Sequence, residues 1–283
     1  MPVVVTLDGI AHDPTVPLLF ADDLAAVRGD GIFETLLVRD GAPCLLDAHL
    51  QRLAQSAQMM DLPAPDAAAW RRSAALAASC WVEHHDDDGV MRLVCSRGRE
   101  VGGPPTAYIS VAALPARVAA ARRDGVAALT LDRGLPATAS AAPWLLAGAK
   151  TLSYAVNMAA LRHAAGRGAG DVIFVSSDGY VLEGPRSTVV IATADELLTP
   201  PPSLPILHGT TQQALFEVAA DKGYDCDYRA LRPADLFAAQ GVWLVSSITL
   251  AARVHTLDGR ALPEAPNAAQ FAELVDRAIL SDR

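Results

Sequence analysis

The sequence predicts an α+β fold of mixed sheets, and three observations carry that expectation. Strand-like and helix-like apolar patterns are interleaved along the whole chain. Asp-Gly turns at Asp40-Gly41, Asp178-Gly179 and Asp258-Gly259 mark hairpins, the connection that antiparallel strands use. No regular strand–helix–strand alternation runs through the chain, which argues against a doubly wound parallel sheet. At 283 residues the chain suits two modest domains, and 51% hydrophobic with 19% charged residues describes a globular protein.

Taken in order, Val3–Leu7 reads as a strand closed by Asp8-Gly9. Ile32–Arg39 and Ala42–Leu46 flank the first hairpin turn. Asp47 is expected to cap a helix reaching Met60, with Leu50, Leu53, Ala57 and Met60 on one stripe and His49, Arg52 and Ser56 on another face. A second helix carries Trp70, Ala74, Ala77 and Trp81 as a core stripe. His84-His85 with Asp86, Asp87 and Asp88 reads as a solvated turn, with metal binding as the alternative. Val90–Ser96 and Thr106–Leu114 read as strands. Pro115 to Gly125 shows no strand pattern and reads as a connection, which divides the chain into domains 1–117 and 126–283 with a linker at 118–125.

The second half begins with strand Val126–Leu131 and an irregular stretch at 133–143, then Lys150 leading into a helix to about Ala165. A hairpin at 172–182, a strand at Thr188–Ala192, a helix at Gln212–Lys222, a strand at Gly241–Ser246 and a final helix at Ala268–Ile279 complete the pattern.

A net charge of −9 without a compensating basic stripe argues against nucleic acid as a partner. The scattered Cys44, Cys80, Cys95 and Cys226 suit free thiols in a reducing compartment. With no apolar run of membrane-spanning length and no signal-like N-terminus, the expectation is a soluble cytoplasmic protein. Gly29-Asp30-Gly31 fails the dinucleotide pattern because Glu34 stands at its third glycine position. Gly148-Ala149-Lys150-Thr151 fails the phosphate-loop pattern, and neither a GxSxG elbow nor paired histidines at zinc spacing is present, so no metal site is expected.

Chemistry concentrates on Lys150. The 23 Lys and Arg residues include only two lysines, Lys150 and Lys222. Lys222 suits a helix C-terminus before Gly223. Lys150 sits among small apolar residues, and lysine, unlike arginine, can shed a proton and attack a carbonyl. A Schiff-base role stands beside the alternative of a lysine snorkelling at a helix start. Glu183 can offer a carboxylate to a ring nitrogen. Thr210 and Thr211 open a helix that can receive a phosphate, with Ser247 and Arg52 as further donors. Together these residues suit an anionic, aldehyde-bearing cofactor.

In family order, Gly29-Asp30-Gly31-Ile32-Phe33-Glu34-Thr35-Leu36, His49-Leu50-Gln51-Arg52-Leu53, Lys150-Thr151-Leu152-Ser153-Tyr154, Asp178 to Gly184 and Gly209-Thr210-Thr211-Gln212 span most of the chain. In these pieces the sequence resembles the class IV (fold type IV) pyridoxal-phosphate enzymes. The resemblance implies a small N-terminal α/β domain, a larger C-terminal pseudo-barrel domain with pyridoxal 5'-phosphate between them, and a homodimer. It implies that Lys150 forms the imine and shuttles the proton and that Glu183 pairs with the pyridine nitrogen. Arg52, Thr211 and the Ser247 region would hold the phosphate, and Tyr154 the phenolic oxygen. Arg28 stands where relatives usually carry an aromatic residue, and Pro185-Arg186 departs from their usual Glu-Gly-Ser pattern. Phe33-Glu34-Thr35-Leu36 and Ser96-Arg97-Gly98 look most like the 4-amino-4-deoxychorismate lyases and D-amino acid aminotransferases. The resemblance thus implies release of 4-aminobenzoate and pyruvate, for folate precursor synthesis, with an aminotransferase as the alternative and a cofactor-binding protein without turnover as another. Arg28, Arg97 and Arg99 are candidates for the substrate carboxylates.

Overall fold

Which strands pair is decided by where the chain can bury β-branched and aromatic surface while closing every backbone hydrogen bond. The computed structural model describes residues 1–194 and 196–282. Contacts group the chain into two units. The first holds 1–115 and 149–154, and the second holds 116–148 and most of 155–281.

The first unit is built on a six-stranded antiparallel sheet. Its strands are β1 (Val3–Thr6), β2 (Ala11–His12), β3 (Gly31–Arg39), β4 (Ala42–Pro43), β5 (Gly89–Ser96) and β6 (Thr106–Ala113), in the order β2-β1-β6-β5-β3-β4. The β3–β4 turn is the Asp40-Gly41 hairpin, with φ positive at both residues (49° and 75°), the twist that a tight antiparallel turn needs. Helices α1 (Leu24–Arg28), α2 (Leu46–Met59) and α3 (Ala67–Val82) complete the unit. The apolar stripe of α2 is buried at Leu50, Leu53 and Ala57, and Trp70, Ala74, Ala77 and Trp81 of α3 join the same core as Ile32, Leu36, Leu93 and Ile109. Asp47 does not cap α2. The helix starts two residues earlier, after Leu45 in the left-handed region, and Asp47 lies in the first turn, where its charge suits the dipole and it accepts from Arg71 Nε at 2.8 Å. The acidic turn after α3 is partly spoken for: His85 stacks on Trp81 at 3.8 Å, and Asp88 pairs with Arg39.

The second unit carries a mixed eight-stranded sheet. Its strands are β7 (Val126–Asp132), β8 (Asp171–Val175), β9 (Thr188–Ala192), β10 (Glu196–Thr199), β11 (Asp225–Tyr228), β12 (Gly241–Ser246), β13 (Leu250–Leu257) and β14 (Arg260–Ala261). The order is β11-β10-β9-β12-β13-β7-β8, with β14 on β13. The pairs β10–β11, β13–β7 and β7–β8 are parallel, and the rest are antiparallel. Around it lie α4 (Ala116–Asp124), α5 (Ala155–Ala165), α6 (Thr210–Ala220), α7 (Pro233–Ala238) and α8 (Ala268–Ala278). The mixed α+β class is therefore as expected.

Two local expectations change. The segment expected to be a linker forms α4, because alanine and arginine favour helix between Pro115 and Gly125. Gly125 ends it at φ 77°, where a Cβ would lie 2.4 Å from the Arg253 carbonyl. Nor does Lys150 begin a helix. Residues 150–152 run extended beside β3, with Thr151 bridged to Ile32, and α5 starts at Ala155. By packing, Lys150 therefore belongs with the first unit. Tyr180–Leu182 returns beside β8, with Leu182 N–H donating to the Phe174 carbonyl and Phe174 N–H to the Glu183 carbonyl, but forms only the isolated bridge of Val181 with Val175. The Asp258-Gly259 hairpin joins β13 to β14 as expected, whereas strands β10 and β11 carry no clear signal in the sequence pattern.

Gly31 makes the Lys150 segment's approach sterically possible. A Cβ there would lie 2.7 Å from both the Cys95 carbonyl and Leu152 Cδ1, and 2.8 Å from Ser96 Cα. Gly31→Ala is expected to cost about 1–3 kcal/mol through overpacking. Gly170→Ala, whose Cβ would meet nothing nearer than 3.7 Å, is expected to leave stability nearly unchanged. Urea unfolding of the two variants checks both outcomes.

Candidate active site

In the first unit, the Lys150 main chain is held on two sides. Its carbonyl accepts from Phe33 N–H at 3.0 Å, and its own N–H donates to Ser56 Oγ at 3.0 Å. Leu152 N–H donates to the Gly31 carbonyl at 2.8 Å, and Ser153 Oγ donates to the Gly29 carbonyl at 3.1 Å. Gly29, at φ 67°, ends α1 and could carry no side chain, since its Cβ would lie 2.8 Å from Ser153 Oγ. The Gly-Asp-Gly stretch thus serves as a landing strip for the lysine segment. The Lys150 amine lies 4.6 Å from the Phe33 ring centroid and 5.8 Å from that of Tyr154, and the two rings meet edge to face at 5.3 Å. Aromatic faces attract a cation, yet they solvate it less than water does.

Behind this lies a buried ionic cluster. Arg52 donates through Nε and Nη2 to the two oxygens of Glu34, each at 2.7 Å, and His49 Nδ1 donates to Glu34 Oε2 at 2.7 Å. Glu34 and His49 are fully buried and Arg52 nearly so. Burial pushes the Glu34 carboxyl upward, but the Arg52 charge and its forked hydrogen bonds, with His49 adding to them, hold it far below its ordinary 4.5. Burial pushes His49 below its ordinary 6.5 against the pull of Glu34, and the Arg52 and Lys150 charges lower it further. His49 is accordingly a neutral donor.

In the second unit, Glu183 follows the β8 hairpin, and its Oε2 accepts from Leu207 N–H at 3.1 Å. Gly184 turns the chain tightly after it, where a Cβ would lie 2.3 Å from Ser187 Oγ. Helix α6 opens at Gly209 with no side-chain cap, Thr210 and Thr211 in its first turn and no acidic residue there. Thr211 Oγ1 is buried and has no hydrogen-bond partner among the described residues. Standing in the first turn of an eleven-residue helix, this hydroxyl suits a phosphate oxygen. Ser247 lies in the turn joining β12 to β13.

The first unit therefore brings together Lys150, Tyr154 and Arg52, and the second carries Glu183, Thr210, Thr211 and Ser247. The three arginines expected at substrate differ among themselves. Arg97 donates to Asp30 and to the Met60 and Asp61 carbonyls at the end of α2. Arg99 pairs with Asp22 and lies 4.3 Å over the Phe20 ring. Arg28 is the most exposed, with a long 3.6 Å contact to Glu100. Sequence reasoning assigned no role to Glu34, Phe33 or Ser56. A carboxylate within the mostly apolar β3 is the available signal for Glu34.

Comparison with known proteins shows what the chain as a whole is similar to. Residues 31–257 match the family model described as amino-transferase class IV. A bifunctional aminodeoxychorismate lyase / D-amino acid transaminase from Mycobacterium tuberculosis is 70% identical, over 99% of this chain and 100% of its own. The PLP-bound structure of a hypothetical aminotransferase from Mycobacterium tuberculosis superposes with a TM-score of 0.98 at 71% identity, covering 100% of both chains. The 4-amino-4-deoxychorismate lyase from Pseudomonas aeruginosa gives 0.76 at 25% identity, over 93% of this chain and 96% of that one.

Because the native state holds Glu34 charged and His49 neutral, acid is expected to destabilise it in two windows. His49, with a lowered folded pKa, contributes stability above about 6.5 that is lost as pH falls towards that folded value. The Glu34 contribution is present above about 4.5 and is lost as pH falls further. Glu34→Gln is expected to cost about 3–5 kcal/mol at pH 7, by leaving Arg52 buried without its counter-charge. It should also flatten the second window, as guanidinium unfolding across pH 4–8 would show.

Proposed function

The chain belongs to the amino-transferase class IV family, and on that premise we propose that it is a pyridoxal-phosphate enzyme with two activities at one site. It eliminates pyruvate from 4-amino-4-deoxychorismate to leave 4-aminobenzoate, and it transaminates D-amino acids. The observation that carries this reading is Lys150, one of two lysines in the chain, with both backbone groups tied and its amine set against the Phe33 and Tyr154 rings. The relative of that dual name, 70% identical over its whole length, supports the pairing of the two activities.

Pyridoxal phosphate, when bound, supplies a protonated pyridine ring that draws electrons away from the carbon beside the substrate's amine. The chain's residues fit the group. Lys150 is assigned the covalent hold. Arg52, Thr210, Thr211 and Ser247 are assigned the phosphate, where Thr211 Oγ1 lacks any other partner. Glu183 keeps a proton on the ring nitrogen, and the Leu207 N–H on its Oε2 limits how the carboxylate can turn. Tyr154 is assigned the phenolic oxygen. Lys150 Nζ would take the proton from the carbon bearing the substrate amine. In the elimination the ring C–O bond would break, enolpyruvate would leave and take up a proton to become pyruvate, and the ring would aromatise. In the transamination Lys150 would hand the proton back and the amino group would pass on to the acceptor 2-oxo acid, so cofactor-binding residues would serve both outcomes equally.

Of the arginines, Arg28 suits a substrate carboxylate best, since Arg97 and Arg99 are committed to protein partners. It also directly precedes Gly29, against which Ser153 of the lysine segment packs. The reading extends to a homodimer, a cytoplasmic location and supply of a folate precursor. The exposed Trp144 and Leu145 offer apolar surface for a second copy. Among the described residues no helix is long and apolar enough to cross a membrane.

Purified protein reconstituted with pyridoxal phosphate is expected to form 4-aminobenzoate and pyruvate in equal amounts from 4-amino-4-deoxychorismate, and pyruvate from D-alanine with 2-oxoglutarate. Lys150→Ala should lose both activities and the visible absorbance that borohydride removes. Absence of 4-aminobenzoate alongside D-alanine turnover would reject the lyase assignment. Visible absorbance with neither product would leave a binding protein.

A further inference from the structure

Helix α2 carries two stripes, and only one of them is explained by packing. Leu50, Leu53 and Ala57 bury apolar surface, while His49, Arg52 and Ser56, spaced by three and four residues, form a second buried row that is polar throughout. A buried polar row is unfavourable unless every member is satisfied. His49 and Arg52 are satisfied by Glu34. Ser56, 1% exposed, directs its hydroxyl at the Lys150 N–H across a sequence separation of 94 residues.

We propose that Ser56 is a positioning residue that ties the backbone of the reactive lysine to the helix face carrying Arg52. The inference deepens the proposed function and rests on its assignment of Lys150. Two elements frame the lysine. On β3, the neighbours Phe33 and Glu34 hold the Lys150 carbonyl and the Arg52 guanidinium respectively. On α2, Arg52 and Ser56 lie about one turn, or roughly 6 Å, apart along the axis. The anion-binding fork and the amine's backbone are thereby referenced to the same strand and the same helix, so neither can shift without the other. When Ser56 is lost the segment keeps its hydrogen bonds to Phe33, Gly31 and Gly29, but the lysine's own N–H loses its tie to α2. Misplacement of a reacting group by about 1 Å can cost up to about 100-fold in rate.

The test uses Ser56→Ala and Ser56→Thr in the full-length protein. Ser56→Ala is expected to lower kcat by about 10-fold or more for both reactions, with KM changed far less, and Ser56→Thr, which keeps the hydroxyl, to recover most of it. A second readout does not depend on activity. In cofactor-free protein, trace acetylation reports on two lysines only, Lys150 and the exposed Lys222, which is the internal reference. Ser56→Ala is expected to change the Lys150-to-Lys222 labelling ratio several-fold, and Ser56→Thr to restore it. A lowered melting temperature with labelling ratio and kcat both unchanged would overturn the proposal and leave Ser56 a structural residue. Wild-type protein that gains no borohydride-sensitive absorbance with pyridoxal phosphate would instead overturn the assignment of Lys150, and the labelling ratio would still decide whether Ser56 positions it.

Discussion

The main-chain pairing between the Lys150 segment and β3 is the constraint on which the rest of the first unit's site depends. Gly29 and Gly31 have no side chain to obstruct it, and a Cβ on either would fall inside the contact distance of its neighbours. Backbone hydrogen bonds at Gly31 and Phe33 then hold residues 150–152 extended. Main chain is held to main chain there, so the position of the lysine is fixed without using its amine's ring contacts. Its amine lies against the Phe33 and Tyr154 rings, whose faces attract a cation.

The second consequence of that pairing is electrostatic. Placing β3 beside the lysine also places Glu34 inside the unit, where an ionised carboxylate survives only with a counter-charge and filled acceptor sites. Arg52 supplies the charge and a fork matched to both oxygens, and His49 supplies a further donor. A neutral His49 matters here, since a second buried cation would repel both Arg52 and Lys150. One carboxylate thus balances the buried charge and fixes the orientation of Arg52.

Much of this architecture was legible from periodicity and turn chemistry. The stripes of α2 and α3, the Asp40-Gly41 hairpin and the mixed α+β class follow from local patterns that packing reinforced. Errors occurred where a local signal competed with a distant one. Asp47 has cap chemistry, but the turn at Leu45 starts α2 two residues earlier. Small residues around Lys150 suggested a helix start, yet backbone groups on β3 captured them as an extended segment. Strand β11, only four residues long and mostly exposed, gives too short a pattern to stand out and pairs in parallel with β10. Glu34 and Ser56 were unassigned because their partners lie 15 to 94 residues away.

By itself, then, the sequence determined the kinds of element, the positions of the glycine turns, and the singular status of Lys150, together with the family motifs around it. These are properties of residue type and near-neighbour spacing, which propensity and periodicity govern. Tertiary structure alone decided that Lys150 packs with the first unit, that Arg52 and His49 share Glu34, and that Ser56 faces the lysine's N–H. Pairing of buried polar groups depends on which atoms lose water together, and that is settled only when distant segments meet in space.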